Sequence, residues 1–228
     1  MATQTSSSSS LPLLDRVAIV TGASRGIGRG IALHLASLGA RLVINYTSNS
    51  TQADLLVSEI NATSASAARA VAVRADVSDP DQVKLLFDSA EKFVNTRGAF
   101  LCLREAANRL KRGGGGRIIS ISTSLVGALR PGYGGYTASK AAVETMIKIL
   151  AKELKGTGIT ANCVAPGPIA TELFFSGKSE GVIQKIVDEC PMGRLGEVKD
   201  VASVVGFLAG DGSEWVNGQV IRANGGFV

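Results

Sequence analysis

The feature that most restricts this chain is a regular alternation of short β-branched runs with stretches of helical spacing. "RVAIVTG" (16 to 22) ends in glycine, and "GIGRGIALHLASLG" (26 to 39) places apolar residues at 27, 31, 35 and 38 before Gly39 closes it. "RLVINY" (41 to 46) and "AVAVRADV" (70 to 77) read as further strands around a helix at about 51 to 61. "DPDQVKLLFDSAEKF" (79 to 93) opens a helix with Asp79 as cap and Pro80 in its first turn. Later come a strand at 116 to 122, a long helix at 136 to 154 and a strand at 159 to 167. Helices at about 178 to 189 and 198 to 210 and a last strand at 219 to 223 complete the chain. Strand, helix, strand units with apolar strands imply a parallel sheet covered by helices on both faces. The expected fold is an α/β, doubly wound, Rossmann-like sheet in three layers.

Length and composition narrow the rest. The 228 residues suit one α/β domain, expected at 15–228 behind a disordered, Ser-rich tail at 1–14. "MATQTSSSSS" has neither the apolar core of a secretory signal nor an Arg-rich amphipathic pattern, so the expected location is the cytosol. No apolar run approaches the ~20 residues of a membrane span. Cys102, Cys163 and Cys190 have no CxxC spacing, which favours buried thiols over a disulfide framework or a metal site. The net charge of +5 is scattered without a basic run, so a nucleic-acid partner is not expected.

"TGASRGIG" (21 to 28) lies between the first strand and its helix. Gly22, Gly26 and Gly28 permit a tight turn and close backbone approach, so the amides that open the helix can face a pyrophosphate. At the end of the second strand "INYTSNS" offers no carboxylate to a ribose 2′-hydroxyl. With Arg25 in the loop and the hydroxyls of Thr47 and Ser48 nearby, that favours NADP(H) over NAD(H). Asp76, ending the third strand, is placed either to meet an adenine ring or to cap a helix.

"YTASK" sets Tyr136 and Lys140 four residues apart on one helix face. A tyrosine titrates near pH 10, and an ammonium about 4 Å away supplies ~4 kcal/mol in favour of a phenolate at an effective dielectric near 20. "ISTSLVG" ends the preceding strand, at the edge where such sheets bind ligands. Ser124 or Ser122 there can donate to a carbonyl oxygen as negative charge develops on it.

From Arg16 to the C-terminus the chain resembles the short-chain dehydrogenase/reductase family. The glycine motif, "DV" at 76, "VN" at 94, "S" at 124, "YTASK" at 136, "PG" at 166 and "NGG" at 224 occur in family order. The resemblance implies carbonyl reduction by NADPH, with Tyr136 as general acid, Lys140 as its partner and ribose anchor, and Ser124 orienting the carbonyl. Asn95 would hold a proton-relay water, and Ile169 and Thr171 would contact the nicotinamide amide. Thr21, Gly22, Ser24, Arg25, Gly26, Ile27, Gly28, Asn45, Thr47, Ser48, Asp76, Val77, Pro166 and Gly167 complete the implied cofactor contacts. Ser124 is preferred because "SLVG" looks like the family's "SxxG"; Ser122 stays open. "LVINY" and "GYGGYTASKAAVE" are most similar to plant NADPH-dependent aldehyde reductases, with 3-oxoacyl-carrier-protein reductases as rivals. Phe174 and Phe175 fall in the family's substrate loop and line either a pocket or the core. The helices at 95 to 111 and 136 to 154 resemble a pair that forms homodimers or homotetramers.

One stretch breaks the pattern. "SAEKFVNTRGAFLCLREAANRL" (89 to 110) passes from one helical pattern to another with no strand between. The family has there a fourth strand ending in "NNAG", central in the sheet and beside the first. From Asp76 to Asn95 is nineteen residues, roughly thirty short of a helix, strand and loop. A single helix over 80 to 112 would run about 50 Å, too long for one compact sheet. The chain therefore reads as a shortened form of such an enzyme, as a splice variant would be, with weakened folding and activity. A non-catalytic, NADP-binding or dimer-forming variant is the alternative reading.

Overall fold

The structure is a computed structural model that describes residues 11–14, 16–63, 69–79 and 94–228, with only the backbone of 94–97. The helix expected at 79 to 93 lies outside the described residues but for Asp79. Among the described residues there are six parallel strands: β1 (Val17–Val20), β2 (Arg41–Tyr46), β3 (Ala70–Arg74), β4 (Arg117–Ile121), β5 (Thr160–Pro166) and β6 (Val220–Ala223). Among the described residues they form two three-stranded sheets, β1-β2-β3 and β4-β5-β6. β1 pairs only with β2, and β4 only with β5. Among the described residues the doubly wound sheet is thus divided between β1 and β4, where the sequence reading expects a missing strand.

The helices are α1 (Gly26–Ser37), α2 (Ser50–Ala62), α3 (Val94–Arg109), α4 (Leu125–Ala128), α5 (Gly134–Glu153), α6 (Glu172–Phe175), α7 (Glu180–Asp188) and α8 (Val198–Ala209). α1 and α8 cover one face. Their buried Ile31, Ala32, Leu35, Val201, Val205 and Leu208 share one core with Val20, Ile44 and Val164, so this layer spans both sheets. The helices come close because Gly30 faces the Val198 side chain and Gly206 faces His34, where a Cβ would lie 2.0 Å and 2.5 Å from its neighbour. A reciprocal capping box between Glu197 and Asp200 opens α8.

On the other face α3 and α5 bury Leu103, Val143, Ile147 and Leu150 against Ile118, Ala161 and Cys163. Among the described residues that layer packs on β4, β5 and Val220 of β6. Among the described residues β1 is less covered there, with Val17 64% and Ile19 36% exposed, and the β2 residues in register with them are the exposed Arg41 and the half-buried Val43. Leaving Val17 largely in water forgoes on the order of 1 kcal/mol, and the partly buried Ile19 less.

The amino ends of β1 and β4 are tied. Arg16 Nη1 donates to the Gly115 and Ala209 carbonyls at 3.2 and 3.3 Å, and Arg16 and Arg117 both pair with the Asp211 carboxylate. The carboxyl ends converge as well, because the chain leaving β5 brings Thr171 Cγ2 within 3.9 Å of a Cβ built on Gly26. Both sheets therefore point the same way.

Candidate active site

Residues 21 to 28 turn from β1 into α1 with Gly22 and Gly26 at φ of 61° and 56°, a region that side chains other than glycine adopt at a cost. Gly28 is required for a different reason: a Cβ there would sit 2.5 Å from the Gly22 carbonyl. Arg25 is the N-cap of α1 with extended backbone, and the first turn carries no acidic residue. The positive end of the helix is therefore left for an anion. Gly22, Arg25, Gly26, Ile27, Gly28 and Thr171 line a cleft of about 620 Å³.

Asn45 anchors this loop from below. Its Oδ1 accepts from the Gly22 amide at 3.2 Å and its Nδ2 donates to the Ala75 carbonyl at 2.8 Å, while the Asn45 carbonyl accepts from Ala23. At 1% exposure the side chain is engaged on both ends, so it supports the loop instead of reaching a ligand. The Ile169 side chain lies in the core against Gly196. Only its backbone remains for a ligand. Asp76 Oδ1 accepts from the Ser78 amide and hydroxyl at 2.8 and 2.6 Å, a local turn after β3. Thr47 and Ser48 are exposed at the end of β2. Thr171 caps α6 by accepting from Phe174 N at 3.3 Å, which leaves its own hydroxyl hydrogen available.

Tyr136 lies in the first turn of α5 and is 41% exposed, with Lys140 one turn on. Lys140 Nζ donates to the Ile121 carbonyl at 2.8 Å. Burial pushes the Lys140 ammonium below the ordinary lysine range, with Cys163 acting weakly the other way. The Cys163 thiol is pushed up to about 12 by burial and by Glu144, and Cys102 to about 11 by burial. Both serines are buried at the end of β4. Ser122 Oγ donates to Glu144 Oε1 at 2.6 Å, and Ser124 Oγ donates to the Ala165 carbonyl at 3.0 Å.

Asn95 falls in the first turn of α3, and its side chain lies outside the described residues. The start of α3 is held near β3, since Gly98 abuts the Val77 carbonyl, 2.5 Å from where a Cβ would be. Pro166 ends β5, and Gly167 comes next under Asn224, which leaves no room for a side chain. The glycine loop and Thr171 thus share one cleft, while Tyr136, Lys140 and the two serines stand at the end of β4 outside its lining. Gly30, Leu173 and Val198 also belong to that lining and are not apparent from the sequence. The glycine in "GRGIAL" is their one visible signal. Phe174 and Phe175 meet edge to face at 5.4 Å, with Phe175 exposed, so the pair forms its own small cluster.

Parallel strands with helices on both faces, and a glycine loop opening a helix at the strands' carboxyl edge, define a Rossmann-like α/β protein. Residues 16–94 match the short chain dehydrogenase family, and residues 92–228 match the model described as enoyl-(acyl carrier protein) reductase. The chain belongs to the short-chain dehydrogenase/reductase family. It is 56% identical to an NADPH-dependent aldehyde reductase-like protein, chloroplastic, of Arabidopsis thaliana, over 96% of each chain. It is 53% identical to the same plant's NADPH-dependent aldehyde reductase 2, chloroplastic, again over 96% of each. Among solved structures, a blue fluorescent protein from a metagenomic library in complex with NADPH superposes with TM-score 0.85 at 33% identity, over 95% of this chain and 99% of that one.

The comparison with the 56% identical relative runs over 259 positions, yet 96% of 228 residues is about 219, so about 40 positions face no residue of this chain. The two family matches meet at residues 92–94, the same seam the sequence marks. The expected cytosolic location is overturned, because both Arabidopsis relatives are chloroplastic.

Proposed function

We propose that this chain is an NADPH-dependent reductase of small aldehydes or ketones. The observation that carries the proposal is the glycine loop opening α1 at the carboxyl end of β1 in a cleft it shares with Thr171, with Ser124 and the Lys140 ammonium bound at the carboxyl ends of β5 and β4. The loop residues fit a phosphorylated dinucleotide: the glycines admit close approach, the α1 amides face an anion, and Arg25 supplies a cation beside a helix whose first turn carries no acidic residue, with Glu172 on the far wall of the same cleft. NADPH, when bound, supplies the hydride. Tyr136 gives its phenolic proton to the carbonyl oxygen, Lys140 stabilises the phenolate left behind, and Ser124 donates to the same oxygen. Thr171 and the backbone at Ile169 hold the nicotinamide amide, and Asn95 belongs to the proton relay. Purified protein should oxidise NADPH in the presence of an aldehyde panel, read as loss of absorbance, and Tyr136→Phe should be silent.

A second reading is favoured by one observation, the bond that turns Lys140 toward the Ile121 carbonyl beside a divided sheet. On that reading the chain binds NADP(H) or dimerises without turnover. Saturable NADPH binding with no oxidation of any aldehyde, ketone or 3-oxoacyl thioester would select it. The thioester in the same panel separates an aldehyde reductase from a 3-oxoacyl-carrier-protein reductase. Phe100 on α3 and Ile149 on α5 are 48% and 51% exposed, and pairing of these helices in a homodimer or homotetramer would cover them. Sedimentation velocity tests that assembly.

A further inference from the structure

The geometry points to the space between β1 and β4 as a docking slot for one parallel β-strand supplied by another polypeptide. Each flanking strand pairs on one side only among the described residues. Both run the same way, and their amino ends are bridged by Arg16 to Gly115 and through Asp211 to Arg117. The α1 and α8 layer packs on both sheets, and 95% of the chain superposes in one frame on a solved structure with TM-score 0.85. A slot one strand wide sets its edges about 10 Å apart, twice the spacing of neighbouring strands.

The direction of the peptide groups shows which atoms would pair. A trans peptide points its C=O and N–H opposite ways. The Ser122 amide donates to Val164 on β5, so the Ile121 carbonyl of the same unit points into the slot. Likewise the Arg16 carbonyl accepts from Arg41 on β2, so the Val17 amide points into the slot. Alternation then assigns Ile19 on β1 and Arg117 and Ile119 on β4 to the slot side.

Two observations say what would fill it. Val17 and Ile19 leave apolar surface uncovered on the slot's open face, which asks for β-branched or apolar side chains from a strand and the segment after it. The comparison with the 56% identical relative runs over about 40 more positions than this chain supplies, and the two family matches meet at residues 92–94. The occupant is therefore an extended apolar strand of that kind, added by backbone pairing to both edges at once. It would take the Ile121 carbonyl from Lys140 Nζ and release the ammonium toward Tyr136.

The test uses the full chain and a synthetic peptide with the segment that the 56% identical relative carries opposite the seam. Calorimetry should give one saturable site per chain. Amide exchange at Val17, Ile19, Arg117 and Ile119 should slow by about tenfold or more, as pairing protects them. The same peptide N-methylated at alternate residues keeps its side chains but loses one edge, and should not bind; a scrambled peptide should not bind either. Absence of binding, including after refolding with the peptide present, overturns the proposal, as does equal binding of the N-methylated or scrambled forms. Exchange protection needs no turnover, so a failed reductase assay alongside protected amides would sink the catalytic reading and leave the slot standing.

Discussion

The Oδ1 atom of Asn45 accepts the Gly22 amide at 3.2 Å, joining the end of β2 to the loop after β1. The Nδ2 atom of the same side chain reaches the Ala75 carbonyl beyond β3. Asn45→Ala leaves a buried donor and a buried acceptor unpaired, so unfolding free energy should fall by about 2–3 kcal/mol in urea titration. Asn45→Asp keeps the acceptor toward Gly22 and loses the donor. NADPH affinity should fall less for Asp than for Ala, because the loop keeps its anchor. Equal losses would show that the Ala75 bond sets the loop.

Arg25 is exposed at the mouth of the glycine-lined cleft. An exposed guanidinium that meets a 2′-phosphate makes a charge-assisted contact of ~1.5–3 kcal/mol. Arg25→Ala should raise the dissociation constant for NADPH by about tenfold or more and leave that for NADH nearly unchanged. Fluorescence titration with the two cofactors measures the ratio, and a parallel loss for both would place Arg25 on the shared pyrophosphate.

The two serines at the end of β4 make different bonds, and this separates their expected effects. Ser122 is tied to Glu144 on α5, whereas Ser124 donates to a backbone carbonyl, a bond it can exchange for a substrate oxygen. Ser124→Ala should lower kcat by ~100-fold, the scale of one lost oxyanion donor. Ser122→Ala should lower stability with kcat held within a few-fold. Full turnover by Ser124→Ala with loss in Ser122→Ala would reverse the assignment.

Much of this fold is legible in the sequence because its signals are local. β2 at Arg41–Tyr46 is legible to the residue, since its apolar run is bounded by Ala40 and the polar "TSNS". β1 is shorter than its pattern, Val17–Val20, because residues from Thr21 onward are bent into the loop. The single-turn helices α4 and α6 carry no periodic pattern, and α6 depends on the Thr171 cap. The seam is legible from connection length alone. What the sequence does not reveal is how side chains answer a divided sheet. That Asn45 faces inward depends on β1 and β3 together, and that Lys140 seeks the Ile121 carbonyl depends on an open strand edge.

α8 joins both sheets, and its start depends on Asp200. That carboxylate accepts from Arg194 Nη1 and from the Glu197 amide, both at 2.7 Å, and the Arg194 bond leads in holding it down to about 2. A folded value below the unfolded one near 3.9 means that the stabilisation is present above pH ~4 and is lost as pH falls toward 2. The carboxylate is partly exposed, so screening reduces its worth to ~1 kcal/mol. Asp200→Asn should lower Tm at pH 7 and narrow its deficit as the pH approaches 2, in scans by circular dichroism.

Lys140 gives the opposite slope at the alkaline end. Its folded pKa is depressed by burial from an unfolded value near 10.4. Between those two values the unfolded chain holds the extra proton, so stability rises with pH across that window, and the penalty is complete below the folded value. Lys140→Met removes the buried charge and keeps much of the apolar stem. The variant should melt higher than the parent at pH 7, lose that advantage as the pH nears 10, and show no NADPH-dependent turnover. A variant that melts lower at pH 7 would mean that the bond to the Ile121 carbonyl outweighs the cost of burying the ammonium, and that Lys140 helps seal the open edge of β4.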